Sequence, residues 1–204
     1  MTALDHLVLP VTDLGGAAAV LSGAGFVVTP EATHPFGTAN RLVVFEEVYL
    51  ELVSVADRAR LPELGFGRQV ANHLDAGLGG FSHFACRAMS VGDAGSEIRG
   101  AGLEAGEPMW FNRPAPRTDG SVLTAGFTLL PISGHPEQFF CVHHTPEAVW
   151  FRPHLQHKNG ARRIDRVASG LTPAMPIPAV EQGADRIVLN ETVEPVEISG
   201  VRFG

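Results

Sequence analysis

The sequence predicts an α+β fold: two tandem β-α-β-β-β units, followed by a C-terminal extension. Three observations predict it. The first is an internal repeat, the signal to seek before any motif. "LDHLVLPVTDLGGAAAVLSGAGF" (residues 4–26) overlays "FSHFACRAMSVGDAGSEIRGAGL" (81–103) without a gap, 77 residues further on. His6 falls on His83, Leu14 on Val91, Leu21 on Ile98, Phe26 on Leu103, and Gly23-Ala24-Gly25 on Gly100-Ala101-Gly102. The second is that both copies are followed by apolar runs of strand length. The third is composition. At 204 residues with 45% apolar and 18% charged side chains, the chain can bury a sizeable core and is no disordered acidic tail.

Each copy opens with a mostly apolar strand, "LDHLVLPV" or "FSHFACRA". An Ala-rich helix follows, "DLGGAAAVLSGAG" or "SVGDAGSEIRGAG". Leu14, Val20 and Leu21, and in the second copy Val91 and Ile98, form its apolar stripe. Asp13 and Ser90 are the expected N-caps, and Gly25 and Gly102 the helix stops. In the first copy "FVVTP", "NRLVVFE" and "VYLELVSV" read as strands, and in the second "EPMWFNR", "SVLTAGFTLLP" and "EQFFCVHH". "THPFGTA", "PAPRTDG" and "ISGHP" are the breakers between them.

The expected organisation is a first unit over 1–55, a connector over 56–79, a second unit over 80–145 and the extension over 146–204. The connector carries a short helix around "PELGFGRQVANHL". In the extension, "PEAVWFRPHLQHKNGARRI" reads as a helix or an ordered loop that caps the site as a lid. "LTPAMPIPAVEQ" is a Pro-rich connector, and "DRIVLNETVEPVEISGVRF" alternates well enough for two terminal strands.

Two residue types are out of place in these strands. His6 and His83 occupy equivalent places in the repeat, so modules paired about a pseudo-twofold axis make them face each other. Glu51 lies in "VYLELVSV" between two leucines, on one face with Tyr49 and Val53. A buried carboxylate is costly unless it is paired or binds a metal, and Arg41 and Arg87 are the candidate pairing partners. Two imidazoles and a carboxylate suit a divalent ion such as Zn, Ni, Co, Fe(II) or Mn. Cys141 and His143 share a face of the last strand, and either could be a fourth ligand. The simpler alternative is a two-His-one-carboxylate triad with open positions. A histidine in an apolar strand is more often a hydrogen-bonded core residue; the repeated pair together with Glu51 raises the metal reading. Arg41 could grip an anionic group of a substrate, and Trp110, Phe111, Phe139 and Phe140 could wall an apolar cup.

The opening "LDHLVLPVTDL", the strand "GTANRLVVF" and the strand "YLELV" resemble the vicinal oxygen chelate superfamily, in its glyoxalase-like branch. Its members include glyoxalase I, extradiol dioxygenases, and bleomycin- and fosfomycin-resistance proteins. The resemblance covers about residues 3–145. It implies a cupped, mostly antiparallel eight-stranded sheet around a metal, with ligands from the first and fourth strands of each module. By position these are His6, Glu51, His83 and a residue of "QFFCVHH", of which His143 is the expected one. The superfamily often has glutamate there, where this chain offers Cys141, Val142 and His143. The implied chemistry is proton transfer or ring-cleaving dioxygenation on a small molecule with adjacent oxygens. Glu51 is the candidate base, and Arg41, Trp110 and Phe140 the substrate contacts.

Two other functions compete: a metal-free protein that binds and sequesters a small molecule, as resistance-type relatives do, and a dimer-forming module with no small-molecule role. A net charge of −7 argues against nucleic-acid binding. No apolar run approaches the roughly 18 residues that span a bilayer. "MTALDHLVLP" has an acid and no basic region, so a signal peptide is not expected, and two cysteines do not make a disulfide scaffold. The expectation is a cytoplasmic protein, in homodimers if sheet edges pair. There is no P-loop, G-x-G-x-x-G or G-x-S-x-G motif, and His143, His144, His154 and His157 are too irregularly spaced for a helical metal motif.

Overall fold

The computed structural model describes residues 2–191 and 193–204. The first repeat folds as β1 (Leu4–Pro10), α1 (Leu14–Gly23), β2 (Ala32–Thr33), β3 (Thr38–Val44) and β4 (Tyr49–Val55). A connecting helix, α2 (Phe66–Asp75), leads to the second: β5 (His83–Ala88), α3 (Val91–Gly100), β6 (Met109–Pro116), β7 (Val122–Ile132) and β8 (His135–His143). The remaining strands are β9 (Ile164–Ser169), β10 (Val180–Gln182), β11 (Arg186–Leu189), β12 (Val196–Ile198) and β13 (Val201–Phe203).

The repeated helices begin and end where their sequence dictates. Asp13 accepts the Gly16 N–H at 2.9 Å and Ser90 the Asp93 N–H at 3.1 Å, each satisfying one orphan donor of the first turn. Gly25 and Gly102 stop the helices with φ of +87° and +76°, a conformation that costs other residues more. α1 buries Leu14, Ala17, Ala18 and Leu21. Val20, expected in the apolar stripe, is instead 47% exposed: the helix turns its small alanines to the sheet.

The two units share one eight-stranded sheet in the order β2-β3-β4-β1-β5-β8-β7-β6. It is mixed and mostly antiparallel: β1 with β4 and β5 with β8 are the parallel pairs, and β1 meets β5 antiparallel at the centre. The sheet curls until it nearly closes, so that His34, just beyond β2, meets Phe111 of β6 at 5.7 Å between ring centroids.

Strand alternation divides the side chains between two faces. Leu7, Leu9, Leu50, Leu52, Phe84 and Phe140 form the convex layer, where each fully buried side chain contributes about 1.5–3 kcal/mol. Val8, Tyr49, Val53, Ala85, Phe127, Phe139 and Cys141 line the concave side. Phe66 and Val70 of α2 pack into that second layer, so the connecting helix lies across the cup.

Two details differ from the sequence reading. Residues 26–30, "FVVTP", are not a strand; β2 is a two-residue element at Ala32–Thr33. The extension holds five short strands rather than two, in a second sheet of order β10-β9-β11-β13-β12. Three-residue strands such as β10 are too short to show a period; pairing with β9 makes them strands. The extension divides between the two faces of the sheet. Val167, Ile187, Val201 and Phe203 pack against the convex layer, and only Ala148 and Val149, with partly buried Trp150 and Leu155, join the concave cluster. No helix is long and apolar enough to cross a membrane among the described residues.

Candidate active site

The site grows from one irregularity in β1. Leu4 pairs with Cys86 and His6 with Ala85, so one extra residue, Asp5, stands between consecutive positions of β5. Such a bulge re-aims a side chain that strict alternation would send to the other face. The fully buried Asp5 carboxylate therefore joins the concave residues. Its Oδ1 accepts from His6 Nδ1 at 2.7 Å and from His143 Nε2 at 2.9 Å, and its Oδ2 accepts from Arg87 Nε at 3.0 Å. Burial alone pushes this carboxyl up, but the His143 ring beside it and the hydrogen bonds from His143 and His6 hold it well below the ordinary carboxylate range.

Asp5 thus fixes His6 by its Nδ1, and Tyr49 stacks on the ring at 4.4 Å between centroids. The other nitrogen, Nε2, stands 3.8 Å from Glu51 Oε2. Glu51 is in turn held by Asn40, whose Nδ2 donates to Oε1 at 2.6 Å. The same amide lies 3.3 Å from His34 Nε2, while His34 Nδ1 meets Thr38 Oγ1 at 2.8 Å. Burial, then Arg113 and His6, pushes the His34 ring well below its usual range, so it is neutral. Burial, then Asp5, raises the Tyr49 hydroxyl and the Cys141 thiol well above theirs.

These groups line a cavity of about 20 Å³, room for about one water. His6, Asn40, Glu51 and Arg113 supply its polar wall, and Phe36, Phe66, Phe111, Phe127 and Phe139 the apolar remainder.

Of the residues singled out in the sequence, His6 and Glu51 come together, and Asp5 links His143 to them. His83 is on the same face, but both its nitrogens have partners elsewhere: Nδ1 meets Ser82 Oγ at 2.7 Å and Nε2 meets Gln69 Oε1 of α2 at 2.9 Å. Burial pushes its pKa down to about 3. The parallel register explains what separates the two histidines. Glu51 stands opposite Val8, and in the second unit the residue opposite Ala85, the repeat counterpart of Val8, is Phe139. The Phe139 ring lies 5.7 Å from His6 and 6.0 Å from His83. The fourth position of the repeat is thus an aromatic wedge. Cys141 and His143 lie further along β8.

Arg41 is on the outer side near Glu31 at 3.7 Å, neither it nor Arg87 pairs with Glu51, and Trp110 is 63% exposed. Phe140 is buried in the convex layer, one residue out of phase with the cup. Sequence reasoning missed Asp5, Asn40, His34, Gln69 and Arg113. The bulge hid Asp5, but Arg113 was signalled by alternation: Phe111, Arg113 and Ala115 share one buried face of β6.

The donors of Asp5, His6, Cys141 and His143 lie within 4.8 Å of one another. In type and proximity this set fits a divalent ion, and His143 Nδ1 is a buried atom without a partner. The set His6, Glu51 and His83 does not converge in the same way, because Gln69 and Ser82 engage the third ring.

A family model described as "Glyoxalase-like domain" matches residues 4–175. No curated protein sequence matches the chain. Among solved structures, a hypothetical protein from Staphylococcus aureus superposes with a TM-score of 0.70 at 14% identity, covering 100% of this chain and 99% of that one, a likeness of fold. Methylmalonyl-CoA epimerase from Mycobacterium tuberculosis gives 0.46 at 17% identity, over 69% of this chain and 86% of its own. A mutant 4-hydroxymandelate synthase from Streptomyces coelicolor gives 0.43 at 16% identity, over 99% of this chain and 61% of its own.

Proposed function

The chain belongs to the glyoxalase-like domain family, and on that premise we propose that it is an enzyme that moves a proton on a small molecule with adjacent oxygens, using Glu51 and His6 in the concave cavity. The observation that carries this reading is the chain Asp5–His6–Glu51, whose last two members open on the cavity.

The ionised Asp5 carboxylate accepts the Nδ1 proton of His6, which leaves Nε2 as the free lone pair on the Glu51 side. Glu51, fixed by Asn40, is the base that takes a proton from carbon. His6 Nε2, 3.8 Å away, receives it or returns it to a neighbouring atom. Asp5 then stabilises the imidazolium, as a buried carboxylate does in other His–Asp pairs. The aromatic wall keeps bulk water from the carbanion. This favours a lyase- or isomerase-type reaction over dioxygenation.

The test is exchange in D₂O against a panel of small 2-hydroxy acids, 2-oxo acids and thioesters, read by proton NMR. The expected result is deuterium uptake at the carbon beside the carbonyl in the wild type, with a loss of about 10²-fold or more in Glu51→Gln. Binding of panel members with no exchange in any of them would overturn the reading and favour a sequestering protein.

A second reading rests on the four donors within 4.8 Å: Asp5, His6, Cys141 and His143 would hold a divalent ion. Such an ion supplies Lewis-acid polarisation of a substrate oxygen when bound. Metal quantitation on untagged protein tests it, with one equivalent retained by the wild type and lost in His143→Ala as the supporting result.

A further inference from the structure

Arg113 is the unusual charge of this molecule. It is 5% exposed, on β6, with its guanidinium 5.4 Å over the Phe127 ring. Its hydrogen bond is Nη1 to the adjacent Pro114 carbonyl at 3.1 Å, and its Nε is buried without a partner. Among the described residues no carboxylate forms a salt bridge with it, whereas Arg87 has Asp5. A buried guanidinium left without an anion is costly, and Arg is the side chain whose planar fork matches a carboxylate.

Arg113 lines the cavity together with His6, Asn40 and Glu51. The Glu51 carboxylate is the anion nearest in effect to the guanidinium, but its side-chain hydrogen bond comes from Asn40 and not from Arg113. Next to the cavity lies an apolar groove of about 290 Å³, bordered by Leu64, Met109 and Pro131. Phe66, Leu129 and Phe139 line both, so these three side chains stand between the polar cavity and the apolar groove. Leu64, at the groove's rim, is 85% exposed.

We infer that the ligand is a small amphiphilic acid: its carboxylate pairs with Arg113 and its apolar tail lies in the groove beside Met109 and Leu64, with Phe66, Leu129 and Phe139 moving aside to widen a cavity that otherwise has room for about one water. The inference rests on the concave face being the ligand site proposed above, but not on the proton-transfer step. Binding without exchange would sink the activity and leave this inference intact; exchange on uncharged compounds alone would do the reverse.

The test is calorimetric titration of the full chain with hexanoate, hexanamide and acetate. Hexanoate is expected to bind at least about tenfold tighter than hexanamide, the uncharged isostere, and tighter than acetate, which lacks the tail. Arg113→Met is expected to remove the preference for hexanoate, and its melting temperature to equal or exceed that of the wild type, because an unpaired buried charge is gone. Met109→Asp is the second variant: it should weaken hexanoate and leave acetate unchanged. Equal binding of hexanoate and hexanamide by the wild type, or full retention of the preference in Arg113→Met, overturns the inference.

Discussion

Phe139 stands beside Ala85 in the second unit where Glu51 stands beside Val8 in the first. The duplicated sheet thus presents a carboxylate on one side of its axis and an aromatic ring on the other. That ring contacts both repeat-related histidines, His6 and His83. The asymmetry leaves His6 with Glu51 and turns His83 to Gln69.

Restoring the missing carboxylate tests this equivalence. Phe139→Glu buries a charge between two imidazoles, and the ion-free variant should unfold several degrees below the wild type, since each 1 kcal/mol shifts the midpoint by about 2–4 °C at this size. Added Co²⁺ or Ni²⁺ should recover more of the melting temperature in the variant than it adds to the wild type. An equal metal increment in both proteins would contradict the equivalence.

Asp5 makes a second prediction, with a defined pH sign. Its folded pKa lies below the unfolded value of 3.8, so its stabilisation is fully present above about pH 4 and is lost as pH falls further. Asp5→Asn removes the anion shared by His6, His143 and Arg87, and the expected cost at pH 7 is about 3–5 kcal/mol. Urea unfolding across pH 3–7 checks both points. The variant's acid limb should be flatter than the wild type's, and a variant as stable as the wild type would refute the role given to Asp5.

His83 and His34 act in a different window. Burial lowers the His83 pKa from 6.5 to about 3, and that of His34 in the same direction. Between about pH 6.5 and 3 the unfolded chain binds a proton that the folded His83 does not. Stability therefore declines as pH falls through that range, by about 1.4 kcal/mol per pH unit from the His83 ring, and the lowered His34 pKa acts with the same sign. Replacing His83 by methionine should reduce the slope by that amount in the same urea series. An unchanged slope would mean that the ring is protonated in the folded state.

Much of this architecture was legible in the residues. The repeat at 77 residues placed His6 and His83 at equivalent positions, and Asp13, Ser90, Gly25 and Gly102 marked both helices. Glu51 stood out because a carboxylate in an apolar strand needs a reason. Asp5 was not legible, because strict alternation sends it to the convex face and only the bulge brings it back. Phe139 was passed over for Cys141 and His143, because the fourth position of a parallel pair follows from register, which a single strand does not reveal. Phe140, chosen as a cup residue, is one place out of phase and lies in the convex core. The short strands of the second sheet have too few residues for any period. Arg113 could have been found from the alternation of β6, had its polar face been weighed as Glu51 was.

If His6 and Glu51 act as one unit, their effects on proton exchange are not additive. The decisive measurement is the exchange rate in D₂O for the wild type, His6→Gln, Glu51→Gln and the double variant, with folding verified by near-ultraviolet circular dichroism. The account predicts that each single variant loses most of the rate and that the double variant is no slower than the worse single one. Retention of the wild-type rate in either single variant, or losses that multiply in the double, would contradict it.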